Sequence, residues 1–213
     1  MLIRCLFIFA GIFLVRPAIA QTVAIGLRGG LGQACHQRYF EKDYGGYFPL
    51  RPLLSKTIGL NATFGIGTHL ALEAGLNYEE KGNIRYAYKN QYHYISLPIT
   101  LKWHLLAERT ILPYVRGGVY YAHLLHHQQT PINDGPIFYI YLPEYQTPAV
   151  KDVGLVAAIG ADWQLPSRIQ LNIDLAGTRG RRNLYASDAS SLALPYPLYN
   201  ISWSWTMGVR YVL

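Results

Sequence analysis

The chain has 213 residues, enough for one domain or two small ones. Charged residues are only 15% against 51% apolar, which excludes a disordered, solvated chain. Glycine is abundant at 20 but follows no G-X-Y period, which excludes collagen, and two cysteines exclude a disulfide scaffold; the formal charge is +7.

The first twenty residues read as a secretory signal. Arg4 supplies the positive start, and residues 6–15 form an apolar stretch too short to span a bilayer as a helix. Ala18, Ile19 and Ala20 form a small-x-small cleavage site, so the mature domain is expected to run over residues 21–213. Losing Arg4 and Arg16 leaves 17 basic against 12 acidic residues, a charge of +5. Losing Cys5 leaves Cys35 alone, so no internal disulfide is expected. The basic residues form no run beyond 179–182, and nucleic acid is not an expected partner of an exported chain.

After the signal the dominant period is two. Val23, Ile25, Leu27, Gly29 and Leu31 share one face, with Thr22, Ala24, Gly26, Arg28, Gly30 and Gln33 on or close to the other. Ile58 to Ile66 and Leu70 to Tyr78 repeat the split, with Glu73 and Glu79 on the second face. Ile95, Leu97, Ile99, Leu101 and Trp103 follow, alternating with Ser96, Pro98, Thr100, Lys102 and His104. Val115, Gly117, Val119 and Tyr121 alternate with Tyr114, Arg116, Gly118 and Tyr120. Val153 to Trp163 alternates with Asp152 to Asp162, and Ile169 to Leu175 with Arg168 to Asp174. Ile201, Trp203, Trp205, Met207, Val209, Tyr211 and Leu213 close the chain, alternating with a face that carries Arg210.

Eight strands result, an even number. The first face of each is large, uncharged and rimmed by Tyr and Trp, whereas the second is small, glycine-rich and charged. A charged, glycine-rich face makes a poor core, while the first face suits lipid bounded by aromatic girdles. The expected fold is therefore all-β: an eight-stranded antiparallel up-and-down transmembrane barrel, apolar outside and polar inside. The connections agree. Residues 34–53, 80–92, 125–150 and 179–199 make long gaps, and 67–69, 106–112 and 165–167 short ones. Long loops alternating with short turns are the outer-membrane pattern, with the short turns and both termini on the periplasmic side.

Several stretches carry a family resemblance. Residues 72–82 (LEAGLNYEEKG), 94–102 (YISLPITLK), 113–118 (PYVRGG), 152–160 (DVGLVAAIG) and 200–211 (NISWSWTMGVRY) resemble, in order, the strand motifs of the PorT-like outer-membrane β-barrel domain family. The resemblance runs from about residue 22 to the end, and it departs at Leu213, where the family usually has an aromatic. It implies an eight-stranded outer-membrane barrel of the kind common in Bacteroidota-like, Gram-negative bacteria. It implies no single activity, since one fold hosts many roles.

An eight-stranded barrel is about filled by its own side chains, so a wide pore is not expected. The inward charges Arg28, Glu73, Lys102, Arg116, Asp162, Asp174 and Arg210 should pair into a hydrogen-bonded plug, because burying them otherwise is costly. His123, His126 and His127 cluster at an upper strand end. They could hold Zn or Cu, but a polar rim explains them as well. Ser96 or Ser204 with His93 or His104 could be proposed as a nucleophile and base, but no spacing supports it. Pro98 within a strand reads as a bulge or a local ladder break. Arg179, Arg181 and Arg182 open the last long loop and could meet lipopolysaccharide phosphates. Tyr139 and Tyr141, in the Tyr- and Pro-rich loop 131–148, suit a surface contact with a protein or glycan.

The reading is a monomeric, non-enzymatic integral outer-membrane barrel without cofactor or metal. Its role would be structural, in surface interaction, or in secretion and assembly. Expected partners are outer-membrane lipids and lipopolysaccharide, the barrel-assembly machinery during insertion, and a protein or glycan at the loops. The alternatives are a lipid-modifying enzyme on the same barrel and a soluble exported barrel with an apolar ligand.

Overall fold

A computed structural model describes residues 20–38, 51–85, 88–106, 109–132, 149–182 and 198–213. The expected signal segment lies outside them except for Ala20, which opens the first strand. The strands are β1 (Ala20–Arg38), β2 (Arg51–Ile66), β3 (Leu70–Arg85), β4 (Tyr88–His104), β5 (Ile111–Pro131), β6 (Lys151–Gln164), β7 (Ile169–Gly180) and β8 (Leu198–Val212). Each pairs antiparallel with its neighbours in sequence, and β1 pairs β8 to close the barrel.

The ladder fixes the barrel's dimensions. Stepping across it from Ala24, the partners are Thr63, Glu73, Thr100, Gly118, Val156, Thr178 and Ser202, and Ser202 pairs Ala34. One circuit thus returns ten residues further along β1. With about 3.3 Å of rise per residue and about 4.8 Å between strands, that stagger tilts the strands by ~41°. Each residue then climbs roughly 2.5 Å along the barrel axis, and the backbone cylinder is roughly 17 Å across. Such an interior has room for side chains and little else.

The faces fall as the alternation predicts. Leu27, Ile58, Leu97, Ile159, Trp203 and Met207 all point outward and exposed, and Arg28, Glu73, Lys102, Arg116, Asp162, Asp174 and Arg210 are all buried. Burying charge while exposing aliphatic side chains is the reverse of a water-soluble barrel, so the outer surface is one that only lipid can cover. Trp103, Trp163 and Tyr211 ring the lower end, and Tyr78, Tyr121 and Trp203 the upper. The ladder sets the two rings about 20 Å apart, which matches the apolar band of an outer-membrane barrel. Among the described residues no helix is long and apolar enough to cross a membrane.

Several local expectations are corrected. Gln33 faces outward, opposite Trp203, because β1 keeps strict alternation through Ala34. Cys35, expected in a loop, lies within β1, which runs to Arg38. The gap 80–92 is mostly strand: β3 and β4 continue in register to Arg85 and Tyr88. β5 likewise runs to Pro131, about 25 Å above the upper ring at ~2.5 Å per residue. Strand pairing persists there, with Gln91 still opposite Gln128, because backbone N–H and C=O groups pair across the ladder whether the outer side chains face lipid or water. Pro98 interrupts the ladder without a bulge. The β3–β4 pairs run to Ala74↔Ile99 and resume at Asn77↔Ser96 in the same register, while the bulge lies between His93 and Tyr94, on the β5 side.

Candidate functional site: the charged lumen

The ladder lifts each successive strand, so inward residues far apart in sequence arrive at one height. Glu73 of β3 is the centre of the lower cluster. Its Oε1 lies 3.1 Å from Arg28 Nη1 and 3.2 Å from Arg116 Nη1. Its Oε2 lies 3.1 Å from Lys102 Nζ and 3.7 Å from Arg210 Nη1. Four cations from β1, β4, β5 and β8 thus converge on one carboxylate.

Two aspartates share the load. Asp162 accepts from Arg210 Nη2, from Lys102 at 3.3 Å, and lies 3.0 Å from His104 Nε2. Asp174 takes Arg116 Nη2 at 2.9 Å, the Tyr114 hydroxyl at 2.9 Å and the Thr206 hydroxyl at 2.6 Å. Lys102 Nζ also sits 4.1 Å from the centre of the Tyr114 ring, a cation–π contact. All seven charges expected in the lumen therefore meet in one network.

A second cluster sits higher. Lys81 Nζ pairs with Glu79 at 2.8 Å and lies 4.8 Å from the Tyr120 ring centre. The Ser96 hydroxyl donates to Glu79 at 2.7 Å. Tyr120 and Asn200 both donate to Asp152 Oδ2 at 2.9 Å. Tyr92, Tyr94, Tyr120, Ala122 and Val156 form the apolar packing around it. The alternation puts Glu79 and Asp152 on the ionic face, outside the seven charges of the expected plug, and the gap at 80–92 puts Lys81 in a loop. The signal was present: Lys81 has the same parity as Glu73, Asn77 and Glu79 once β3 continues upward.

The charges of the two clusters cancel. Among the described inward residues, the lower cluster sets Arg28, Lys102, Arg116 and Arg210 against Glu73, Asp162 and Asp174. The upper sets Lys81 against Glu79 and Asp152. Five cations face five anions, as charges held out of water require. Between the clusters lies a cavity of about 40 Å³, bounded by Arg28, Arg116, Lys81, Glu79, Thr178 and Ser204 among others. At 10–15 Å³ per water it could take about three. The buried Arg116 Nε, which bonds no protein atom among the described residues, is one polar group such waters would satisfy.

The imidazole and Ser–His candidates are not brought together. The bulge at His93/Tyr94 decides how the imidazole cluster divides between the two faces. His123 and His126 face outward, His126 opposite and stacked on His93 with ring centroids 5.9 Å apart. His127 turns to the other face and stacks on the buried Tyr92 at 4.5 Å. Among the described residues no group of three or more His, Cys, Asp or Glu is placed to hold a metal. Ser96 faces inward, held by Glu79, while His93 faces outward against the Tyr78 hydroxyl at 2.7 Å. His104 is eight residues below Ser96 on β4, about 20 Å down the axis at ~2.5 Å per residue. Arg179 is an outward residue of β7, with Arg181 and Arg182 exposed just beyond its end. Tyr139 and Tyr141 lie outside the described residues.

An apolar outer wall bounded by aromatic rings, closed around a neutralised ionic core, defines an integral outer-membrane β-barrel. The chain belongs to the outer membrane protein beta-barrel domain family, whose model matches residues 19–183. No curated protein matches the sequence. Among solved structures it is similar to the outer membrane protein OprG of Pseudomonas aeruginosa, at 14% identity and a TM-score of 0.52, over 92% of this chain and 97% of that one. Neisserial surface protein A aligns at 11% identity and a TM-score of 0.47, over 88% of this chain and 97% of that one. The outer membrane enzyme PagL aligns at 15% identity and 0.44, over 86% of this chain and 97% of that one. The OprG likeness shows the fold alone.

Proposed function

We propose that the protein is a non-enzymatic outer-membrane barrel whose work is done at its lipid-facing wall and extracellular rim, with the lumen serving as a structural plug. Glu73 carries this reading, because its convergence with four cations fills the lower part of the lumen. A solute would have to part ion pairs whose separation costs several kcal/mol, of order 3–5 when one partner is lost. Ser96 and His93 face opposite sides of the wall and His104 lies about 20 Å below Ser96 at ~2.5 Å per residue, which speaks against a lipid-modifying enzyme on this wall. The signal segment and the PorT-like motifs suggest export as a monomer through the barrel-assembly machinery and a secretion- or assembly-associated role. Lipopolysaccharide at Arg179, Arg181 and Arg182, and a protein or glycan at Tyr139 and Tyr141, are the contacts that this role would use.

The test combines three measurements on the full chain. Outer-membrane fractionation with heat-modifiable migration should find a folded barrel. Planar-bilayer recording should find no sustained open conductance. Lipid A mass spectra should be unchanged by deletion. Steady nanosiemens conductance would overturn the plug, and an altered lipid A spectrum would overturn the non-enzymatic assignment.

A further inference from the structure

The outward residues just above the upper aromatic ring are not evenly charged. On β2, Lys56 is exposed but stands directly opposite Glu80 of β3, so its charge is locally matched. On β6 and β7 the pattern differs. Lys151 pairs across the ladder with His123 of β5, and Arg179 pairs with Leu155 of β6 and Ile201 of β8. All three of Lys151, Arg179 and His123 are exposed. Among the described residues no outward carboxylate stands beside them, because every acidic residue of β6 and β7 points into the lumen.

Their height is informative. Arg179 lies within about 5 Å of the level of Trp203 and Tyr121, and Lys151 and His123 within about 10 Å, at ~2.5 Å per residue along the axis. That level is where lipid headgroups meet the apolar belt. Long cationic side chains there lay their methylenes on the wall and raise their charges into the headgroup layer. Directly beneath, Ala157 pairs with Gly177, so the wall recedes under Arg179 and leaves room for an acyl chain against it.

From this unmatched charge, we propose that the β5–β7 sector binds the phosphorylated headgroup of an outer-leaflet lipid, with Arg179 and Lys151 pairing phosphate oxygens and His123 adding a hydrogen bond. Arg179 supplies a planar fork suited to two phosphate oxygens, and Lys151 a compact charge. Arg179 pairs with Leu155, four residues below Lys151 on β6, so the two cations stand about 13 Å apart along the strand and one strand spacing of about 4.8 Å across, a span that suits the two phosphates of one headgroup. A soluble anion is not the intended ligand, because the receding apolar wall below the cations has no part in binding one. The proposal rests on the reading of the chain as an outer-membrane barrel and names the lipid chemistry of its wall.

The test uses the full barrel refolded into phosphatidylcholine nanodiscs. Diphosphorylated lipid A and its dephosphorylated counterpart are added at equal mole fraction, and retained lipid is read by native mass spectrometry. The diphosphorylated form should be preferentially retained. The double variant Lys151→Gln, Arg179→Gln should lose that preference by about tenfold, while Lys56→Gln should keep it. Equal retention of both lipids, full retention by the double variant, or displacement of the lipid by millimolar inorganic phosphate would overturn the proposal. Heat-modifiable migration is scored on the same samples. Its loss in the wild-type chain counts against the barrel itself, whereas a heat-modifiable barrel without lipid preference counts only against this site. The single variant Arg179→Gln, at an exposed position, gives the answer if the double variant refolds poorly.

Discussion

Replacing Glu73 by Gln tests the plug most directly. The carboxylate is 4% exposed and lies within 3.7 Å of four cationic nitrogens. A unit charge pair near 4 Å is worth about 4 kcal/mol at an effective dielectric of about 20. Repulsion among the four cations, which the carboxylate now screens, makes its removal worse. After substitution only Asp162 and Asp174 remain to match them, and breaking a buried pair by removing one partner costs roughly 3–5 kcal/mol. Urea unfolding from detergent micelles or vesicles, followed by Trp fluorescence at constant pH, should therefore show a loss of at least about 3 kcal/mol relative to wild type. The second variant, Glu73→Gln with Lys102→Met, removes one charge of each sign and should recover more than half of the loss. A Glu73→Gln cost below about 1 kcal/mol would mean that water already screens the cluster, which would refute the dry plug.

Three further outcomes follow from particular positions. Ile159 lies mid-belt on the outer wall, so Ile159→Arg should cost about 2–4 kcal/mol in vesicles, whereas Leu125→Arg, above the upper ring, should cost about 0–1 kcal/mol; equal costs would overturn the membrane placement. A Cβ at Gly118 would sit 2.1 Å from the Ile99 carbonyl oxygen, while one at Gly117 meets nothing nearer than 3.9 Å. Gly118→Val should therefore fail to give a heat-modifiable barrel and Gly117→Val should succeed, as read by gel migration after refolding. His127, high on β5 and clear of the membrane, has its pKa lowered by burial and then by His126. Its proton goes on more readily in the unfolded chain, so stability is intact above about pH 6.5 and is lost as pH falls. Hydrogen exchange at the upper end of β5 should accelerate on acidification, and His127→Phe, which keeps the stack on Tyr92, should flatten that dependence.

What the sequence alone determined was sidedness. A strict period of two is a local property, because successive side chains in a strand must point to opposite faces. Reading Leu97 outward and Lys102 inward therefore needed no partner strand. The sequence also carried the right seven charges for the lower plug. It could not say which of them meet. That depends on height, and height is set by the ten-residue stagger, which exists only once β1 has closed onto β8. The same stagger brings Arg28 and Arg210, 182 positions apart, to Glu73. The upper cluster was missed for a related reason: polar residues beyond the apolar belt read as loop, and only pairing with a neighbour kept Lys81, Tyr92 and His127 in strands. That His126, rather than His127, shares the outward face of His123 was likewise invisible, since one bulged residue reverses every face beyond it.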